Sequence, residues 1–278
     1  MPERRIVLSI QSDVVHGHVG NGAARFALQR LGYDVWALPT VLLSNHPGHP
    51  KFRGETTPTA QLRTLLTGLA ENGWLSRCVG ILSGYLGAAD QAAFVADTVA
   101  QVKQANPNAL YLCDPVFGDD DGAYARPGVA EAMARHLVPL ADIIAPNRFE
   151  LASLTARSIA NASDAVAAAR TLGRAEVLVT SVPFRDSDIG SLIVTRSEAA
   201  ATVTPKRDGV PHGTGDLMSA LYLEGRLSGV APRAALERAA SATDAIINAS
   251  LGQDELALIA NQQSLAAAPN LIARSINK

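Results

Sequence analysis

Gly213-Thr214-Gly215-Asp216 opens an apolar stretch that continues with Leu217, Met218, Ala220 and Leu221. Two glycines at a helix start let backbone approach a ligand, and the unpaired N–H groups there point at an anion. An aspartate in the first turn also suits the helix macrodipole, so an ordinary charged helix start accounts for the same residues. On the functional reading the acid lies beside an anion-binding hollow, where a general base for phosphoryl transfer to an alcohol belongs.

Three further segments leave strands with polar residues. Asn147-Arg148-Phe149-Glu150 follows the expected strand 142–145 and Pro146. Amide and carboxylate three apart share a helix face, and at the carboxyl end of a parallel strand they look into a ligand crevice. The pair suits a hydrated Mg²⁺ held through its waters, while helix capping explains the same spacing. Asp114 ends the run Cys113-Asp114-Pro115-Val116-Phe117-Gly118, either near a metal and phosphates or as a turn former. The acids Asp119, Asp120 and Asp121 lack the terminal Glu of a calcium loop and read as a solvated turn. Gln11, Ser12 and Asp13 leave the first strand into a glycine-punctuated turn, which suits a substrate mouth. His16, His18, His46 and His49 match no zinc spacing and read as surface or substrate-facing loop residues. Trp36 and Trp74 read as core aromatics.

Other chemistries are excluded by absence: the chain has no P-loop, dinucleotide fingerprint, H-E-x-x-H or G-x-S-x-G. A net charge of −2 and 5% aromatic residues argue against a nucleic-acid binder, a polybasic membrane patch or an acidic tail. The run Ile6-Val7-Leu8 is too short for a signal peptide or a membrane span. Cys78 and Cys113, with no metal-like spacing, fit a reduced cytoplasmic protein.

These residues require elements that alternate. Strands are expected at 5–10, 33–38, 78–83, 110–113, 142–145, 176–180, 191–195 and 201–205. Helices are expected at 21–31, 59–71, 88–105, 129–137, 148–154, 163–172, 214–227, 232–248 and 254–265. Ser163 marks a helix start, Gly32 and Gly173 mark helix ends, and Pro232 suits a first helical position. Early strands apolar on consecutive positions imply a parallel sheet covered on both faces, a three-layer α/β/α sandwich. The closely spaced strands after 176 suggest an antiparallel edge. No linker divides residues 1–278, so one domain is expected, with the irregular segment 44–57 as a flap.

In combination, Gly213–Asp216, Asn147–Glu150 and Cys113–Gly118 resemble the ribokinase-like kinases. The segments SIQSDVVHGHVGN (9–21), SNHPGHPKF (44–52), ILSGYLG (81–87) and LADIIAPNRFE (140–150) resemble pyridoxal kinases in particular. The likeness spans nearly the whole chain and weakens after about residue 250. It implies ATP-dependent phosphorylation of the 5′-hydroxymethyl group of pyridoxal. By matching position, Asp216 is then the base, and Gly213, Thr214 and Gly215 form the anion hole. Ser12 meets the pyridine ring, and Val19, His46, Pro47, Phe52 and Tyr85 line the pocket. Asp114, Asn147 and Glu150 organise Mg²⁺ and the phosphates, with Ala145, Thr180 and Ser181 along the nucleotide. A cytoplasmic homodimer aided by K⁺ is also implied.

The chain departs from the family pattern at five places. Pro47 replaces a Thr, Asp13 replaces a His and places a negative charge near the pocket, and His49 and Phe52 replace a Tyr and a Trp. Segment 205–213 is short, and Thr180-Ser181 stands where many bacterial members carry Lys. A related hydroxymethylpyrimidine or other ring-alcohol kinase is the alternative enzyme, and a non-catalytic pyridoxal binder the alternative outside enzymes. The intact acid and glycines speak against the binder.

Overall fold

The computed structural model describes residues 5–185 and 187–276. Strand and helix alternate through β1 (Ile6–Val14), α1 (Asn21–Arg30), β2 (Asp34–Leu43), the short β3 (Gly54–Thr56), α2 (Thr59–Glu71), β4 (Cys78–Ser83), α3 (Asp90–Ala105) and β5 (Leu110–Cys113). A hairpin of β6 (Gly118–Asp119) and β7 (Gly122–Ala123) leads to α4 (Val129–His136), β8 (Ile143–Ile144), α5 (Arg148–Thr155) and α6 (Ala162–Thr171). Then β9 (Glu176–Pro183), β10 (Asp188–Thr195) and β11 (Ala199–Pro205) precede α7 (Thr214–Leu227), α8 (Pro232–Ser250) and β12 (Arg274–Ser275).

One sheet runs β12-β11-β10-β9-β8-β5-β4-β1-β2-β3. Its six strands from β9 to β2 are parallel; the β10–β12 edge is antiparallel, as the close spacing after residue 176 predicts, and β3 adds a second antiparallel edge outside the expected strands. Burial on both faces explains the apolar runs. Val7 of β1 packs with Leu28 of α1, Leu221 of α7 and Leu236 of α8. Its neighbours Ile6 and Leu8 point the other way, towards Leu66 of α2, Phe94 of α3 and Met133 of α4. Helices α5 and α6 cover β9 and β10 through Leu151, Ala165 and Val166. The result is the predicted three-layer α/β/α sandwich.

Strand order places β2 and β4 on opposite sides of β1, so the chain reverses direction across the sheet there. In such sheets ligands sit beyond the carboxyl ends of the strands flanking the reversal. Ser12 on β1, Tyr85 after β4, Asp114 after β5 and Asn147 after β8 all lie at that end.

Several boundaries differ from expectation. Helix α6 is capped by Asn161, whose side chain accepts the Asp164 N–H, rather than by Ser163. Gly32 and Gly173 do follow helices with positive φ, and Pro232 does begin α8. The segment 254–265 is not an α-helix. Gly252 is left-handed, and the Ser250 hydroxyl bonds both the Ile246 carbonyl and the Ala257 N–H, which turns the chain. Leu256 and Leu258 then enter the core at a spacing of two, an extended rhythm. The only helix there is a 3₁₀ turn at Gln262–Ala266. Trp36 and Trp74 pack against each other at the margin, ring centres 6.3 Å apart, with Trp74 41% exposed rather than in the core. Cys78 and Cys113 are buried free thiols, and burial pushes each up to about 12.

Candidate active site

The sixteen residues that the resemblance assigns to the site all line one cleft of about 990 Å³. Helix α7 brings its N-terminus to the middle of it. Gly213, in the left-handed region at φ +101°, precedes the helix without any side-chain cap, leaving the first N–H groups for a ligand. A Cβ on Gly213 would fall 2.0 Å from the His18 carbonyl oxygen, so only glycine lets the two segments meet. Nothing lies within 4 Å of a Cβ built on Gly215, so that position opens onto the cleft.

Asp216 in the first turn accepts the Gly20 N–H at 2.8 Å on Oδ2. Among the described residues its other oxygen has no hydrogen-bond donor. Burial raises its pKa to about 6, against the Gly20 bond that lowers it. Gly20 itself must be glycine, because a Cβ would meet the Ser12 side chain at 2.2 Å. Asp216 is therefore tied to the Ser12 end of the cleft through one backbone contact.

Two buried carboxylates sit further along the cleft. Asp114 accepts the Ser219 hydroxyl at 2.7 Å; burial, then the charge of Asp216, pushes its pKa up to about 8 against that bond. Glu150 receives the N–H groups of Phe117 at 3.1 Å and Asn147 at 2.8 Å. Burial and the charge of Asp114 raise its pKa well above the usual range. Asn147 Oδ1 accepts the Glu150 N–H in return, completing a capping box, and its Nδ2 donates to the Gly118 carbonyl. The pair thus caps α5 and also lines the cleft.

A bulge shapes the next wall. Val179 and Val182 pair with Leu192 and Gly190, leaving Thr180 and Ser181 opposite one residue, with Ser181 at φ +59°. The Thr180 N–H bonds the Pro146 carbonyl, joining β9 to the start of α5. Ala145 lies beside them, buried at the end of β8.

At the opposite end stand Ser12, Val19, His46, Pro47, Tyr85 and the exposed Phe52. The Gly48 N–H donates to His46 Nδ1, which leaves the ring proton on Nε2. Burial and the neighbouring His212 lower the His46 pKa to about 4, so the ring is neutral at pH 7. The His212 ring stacks on it with centres 3.9 Å apart. The Asp13 carboxylate does not enter the cleft; it pairs with Arg25 at 2.7 Å.

Sequence reasoning missed His212, Arg126, Lys206 and the Arg207–Asp244 pair (2.8 Å), all of which line the cleft. His212 adjoins the Gly213 motif and was within reach. Arg126 and Asp244 are placed only by tertiary packing. The Asp119–Asp121 turn is the tip of the β6–β7 hairpin and also lines the cleft, rather than being merely solvated.

A parallel sheet with its crevice at the reversal point, a glycine-bounded helix N-terminus and an acid in its first turn define a ribokinase-like kinase that phosphorylates an alcohol. A family model described as phosphomethylpyrimidine kinase matches residues 77–258. The pyridoxal kinase PdxY of Rubrobacter xylanophilus is 41% identical, covering 95% of this chain and 94% of its own. The pyridoxal kinase of Leishmania donovani, solved with ADP and pyridoxamine, superposes with a TM-score of 0.91 at 32% identity, covering 98% of both chains. That of Entamoeba histolytica gives 0.92 at 26% identity, over 98% of this chain and 100% of the other. The chain belongs to the pyridoxal kinase family.

Proposed function

We propose a division of labour along this cleft for ATP-dependent phosphorylation of pyridoxal at its 5′-hydroxymethyl group. The observation that carries it is the single cleft, with Asp216 between a ring-sized pocket at Ser12 and His46 and a phosphate end at Asp114 and Glu150. Ser12 hydrogen-bonds the pyridine ring, while Val19, Pro47, Phe52 and Tyr85 enclose it and the neutral His46 donates from Nε2. Segment 44–57 acts as the flap that excludes water. Asp216 takes the hydroxyl proton as the new O–P bond forms and the bond to the departing ADP breaks. The N–H groups at Gly213, Thr214 and Gly215 hold the oxygens of the transferring phosphoryl group. Such a reaction needs alignment and charge stabilisation more than covalent help. Ala145, Thr180 and Ser181 run along the nucleotide.

The oxygen donors fit Mg²⁺. Among the described residues no group of three or more His, Cys, Asp or Glu forms a protein cage. Two buried carboxylates, Glu150 destabilised by the charge of Asp114 and Asp114 by that of Asp216, suit an ion that keeps waters and takes its remaining ligands from phosphates. Asp114 and Glu150 would hold it, with Asn147 beside them, and when bound it would neutralise phosphate charge. K⁺ enters as a reaction condition to be varied. Residues 1–278 form one domain that assembles as a homodimer in the cytoplasm, the dimer being checked by light scattering at assay concentration. Among the described residues no helix is long and apolar enough to cross a membrane.

The family description raises hydroxymethylpyrimidine as a second substrate. Its match begins at residue 77, so it takes in the phosphoryl half of the cleft and Tyr85 but omits Ser12, Val19, His46, Pro47 and Phe52 of the ring pocket. The test is ADP release from Mg-ATP with pyridoxal, pyridoxine, pyridoxamine and hydroxymethylpyrimidine in parallel. Turnover with pyridoxal supports the reading; turnover with hydroxymethylpyrimidine alone replaces it.

A further inference from the structure

We propose that Glu255 is a positioning residue that clasps segment 44–57 over the substrate end of the cleft. The proposal rests on reading that end as the pyridoxal pocket. Glu255 lies on the irregular strap after α8 and does not line the cleft. Its Oε1 accepts the His49 Nε2–H at 3.1 Å and stands 3.6 Å from His16 Nε2, while Oε2 accepts the His18 N–H at 3.1 Å. Those partners belong to two segments that both reach the pocket, one through Val19 and the other through His46 and Pro47. One carboxylate therefore holds both sides of the mouth.

The surroundings are shaped for it. A Cβ on Gly17 would fall 2.2 Å from Oε2, and Gly17 has φ +102°, so glycine there makes room for the carboxylate. Glu255 cannot drift, because Leu256 and Leu258 beside it are buried and the Ser250 hydroxyl receives the Ala257 N–H. Leu256 also buttresses the helix start: its Cδ1 lies 3.2 Å from where a Gly213 Cβ would be. Adjacent residues thus brace the segment over the ring and the glycine that begins the phosphate site. The Glu255 side chain is 18% exposed, which sets it apart from a screened surface pair. His49 is the segment's handle on the strap.

The test uses the full chain. Glu255→Ala raises the KM for pyridoxal about tenfold, with kcat and the KM for Mg-ATP held within about twofold, because charge-assisted bonds to the mouth alone are lost. Glu255→Gln, which keeps an acceptor, recovers most of the effect. Without substrate, trypsin cuts faster after the exposed Lys51 and Arg53 in Glu255→Ala than in wild type. His49→Ala raises the pyridoxal KM as well, and the double variant matches Glu255→Ala rather than the product of the two effects. Unchanged pyridoxal KM and cleavage, equal rises in both KM values, or multiplying effects would overturn the clasp. If Glu255→Ala does not fold, Glu255→Gln and His49→Ala carry the test, and normal pyridoxal KM in both overturns it. A wild type inert towards pyridoxal would sink the substrate reading, and the proteolysis arm would still judge the clasp.

Discussion

Asp216→Asn separates chemistry from folding. The amide keeps the shape and an acceptor for the Gly20 N–H, which now sits 2.8 Å from Oδ2, but it removes the proposed base. A positioned general base contributes about 10²–10⁴-fold, so kcat with pyridoxal should fall by that factor while both KM values stay within about threefold. The pKa of about 6 sets the wild-type profile. Below it kcat/KM falls about tenfold per pH unit, leaving roughly a tenth at pH 5, and the variant loses this acid limb. Stability moves the other way. A carboxyl whose folded pKa is raised favours folding fully below its unfolded value of ~3.9 and loses that contribution as pH rises through about 6. At pH 8 the buried charge costs on the order of 3 kcal/mol in the ligand-free protein. The variant should therefore unfold at higher urea than wild type at pH 8, and at nearly equal urea near pH 4. Steady-state ADP release and urea titrations followed by circular dichroism measure both. A kcat within about tenfold of wild type, or a surviving acid limb, would refute Asp216 as the base.

The two glycines of the helix start should respond differently. Gly213→Ala forces a Cβ against the His18 carbonyl at positive φ and should lower stability by about 1–3 kcal/mol in urea titration. Gly215→Ala meets open space, so stability holds or rises by up to about 1 kcal/mol while kcat falls, because the methyl enters the space facing the phosphoryl group. Asp114→Asn should raise the Mg²⁺ concentration for half-maximal activity about tenfold. With an Asp114 pKa of about 8, its effect on stability grows as pH rises towards that value, so the variant gains most over wild type in alkaline buffer. Phe94→Ala, in the core between α3 and the sheet, should cost about 3–5 kcal/mol with the KM values unchanged.

What sequence could tell followed from locality. Strands such as Cys78–Ser83 announce themselves because both faces are buried, and Gly213 marks a helix start because it permits a backbone no other residue adopts there. The Asn147–Glu150 spacing was legible for the same reason: capping box and cleft-facing pair use the same three-residue offset. Failures arose where distant contacts decide. The Ala-rich composition near the end favours helix, yet Ser250 and the buried Leu256 and Leu258 pull residues 254–261 into a strap. Arg126 reaches the cleft only because a hairpin and α4 turn it there, and no local pattern encodes that placement.

The departures from the family pattern become intelligible when charge and contact are followed together. Asp13 placed a negative charge beside Ser12, but Arg25, about one turn into α1, takes it up at 2.7 Å and keeps it off the cleft wall. His49 turns outward to Glu255 instead of inward to the ring, and His46 instead stacks on His212. A stacked, neutral His46 offers substrate a ring face and a single donor, where a charged pair would repel itself and draw water. Pro47 cannot supply a hydroxyl, so on the proposed division of roles selectivity among ring alcohols falls to Ser12 and His46. His46→Ala should therefore narrow the difference in kcat/KM between pyridoxal and pyridoxine, since the donor that distinguishes ring substituents is removed along with its platform. Parallel kcat/KM measurements on the two substrates decide it: an unchanged ratio would assign discrimination to Ser12 alone.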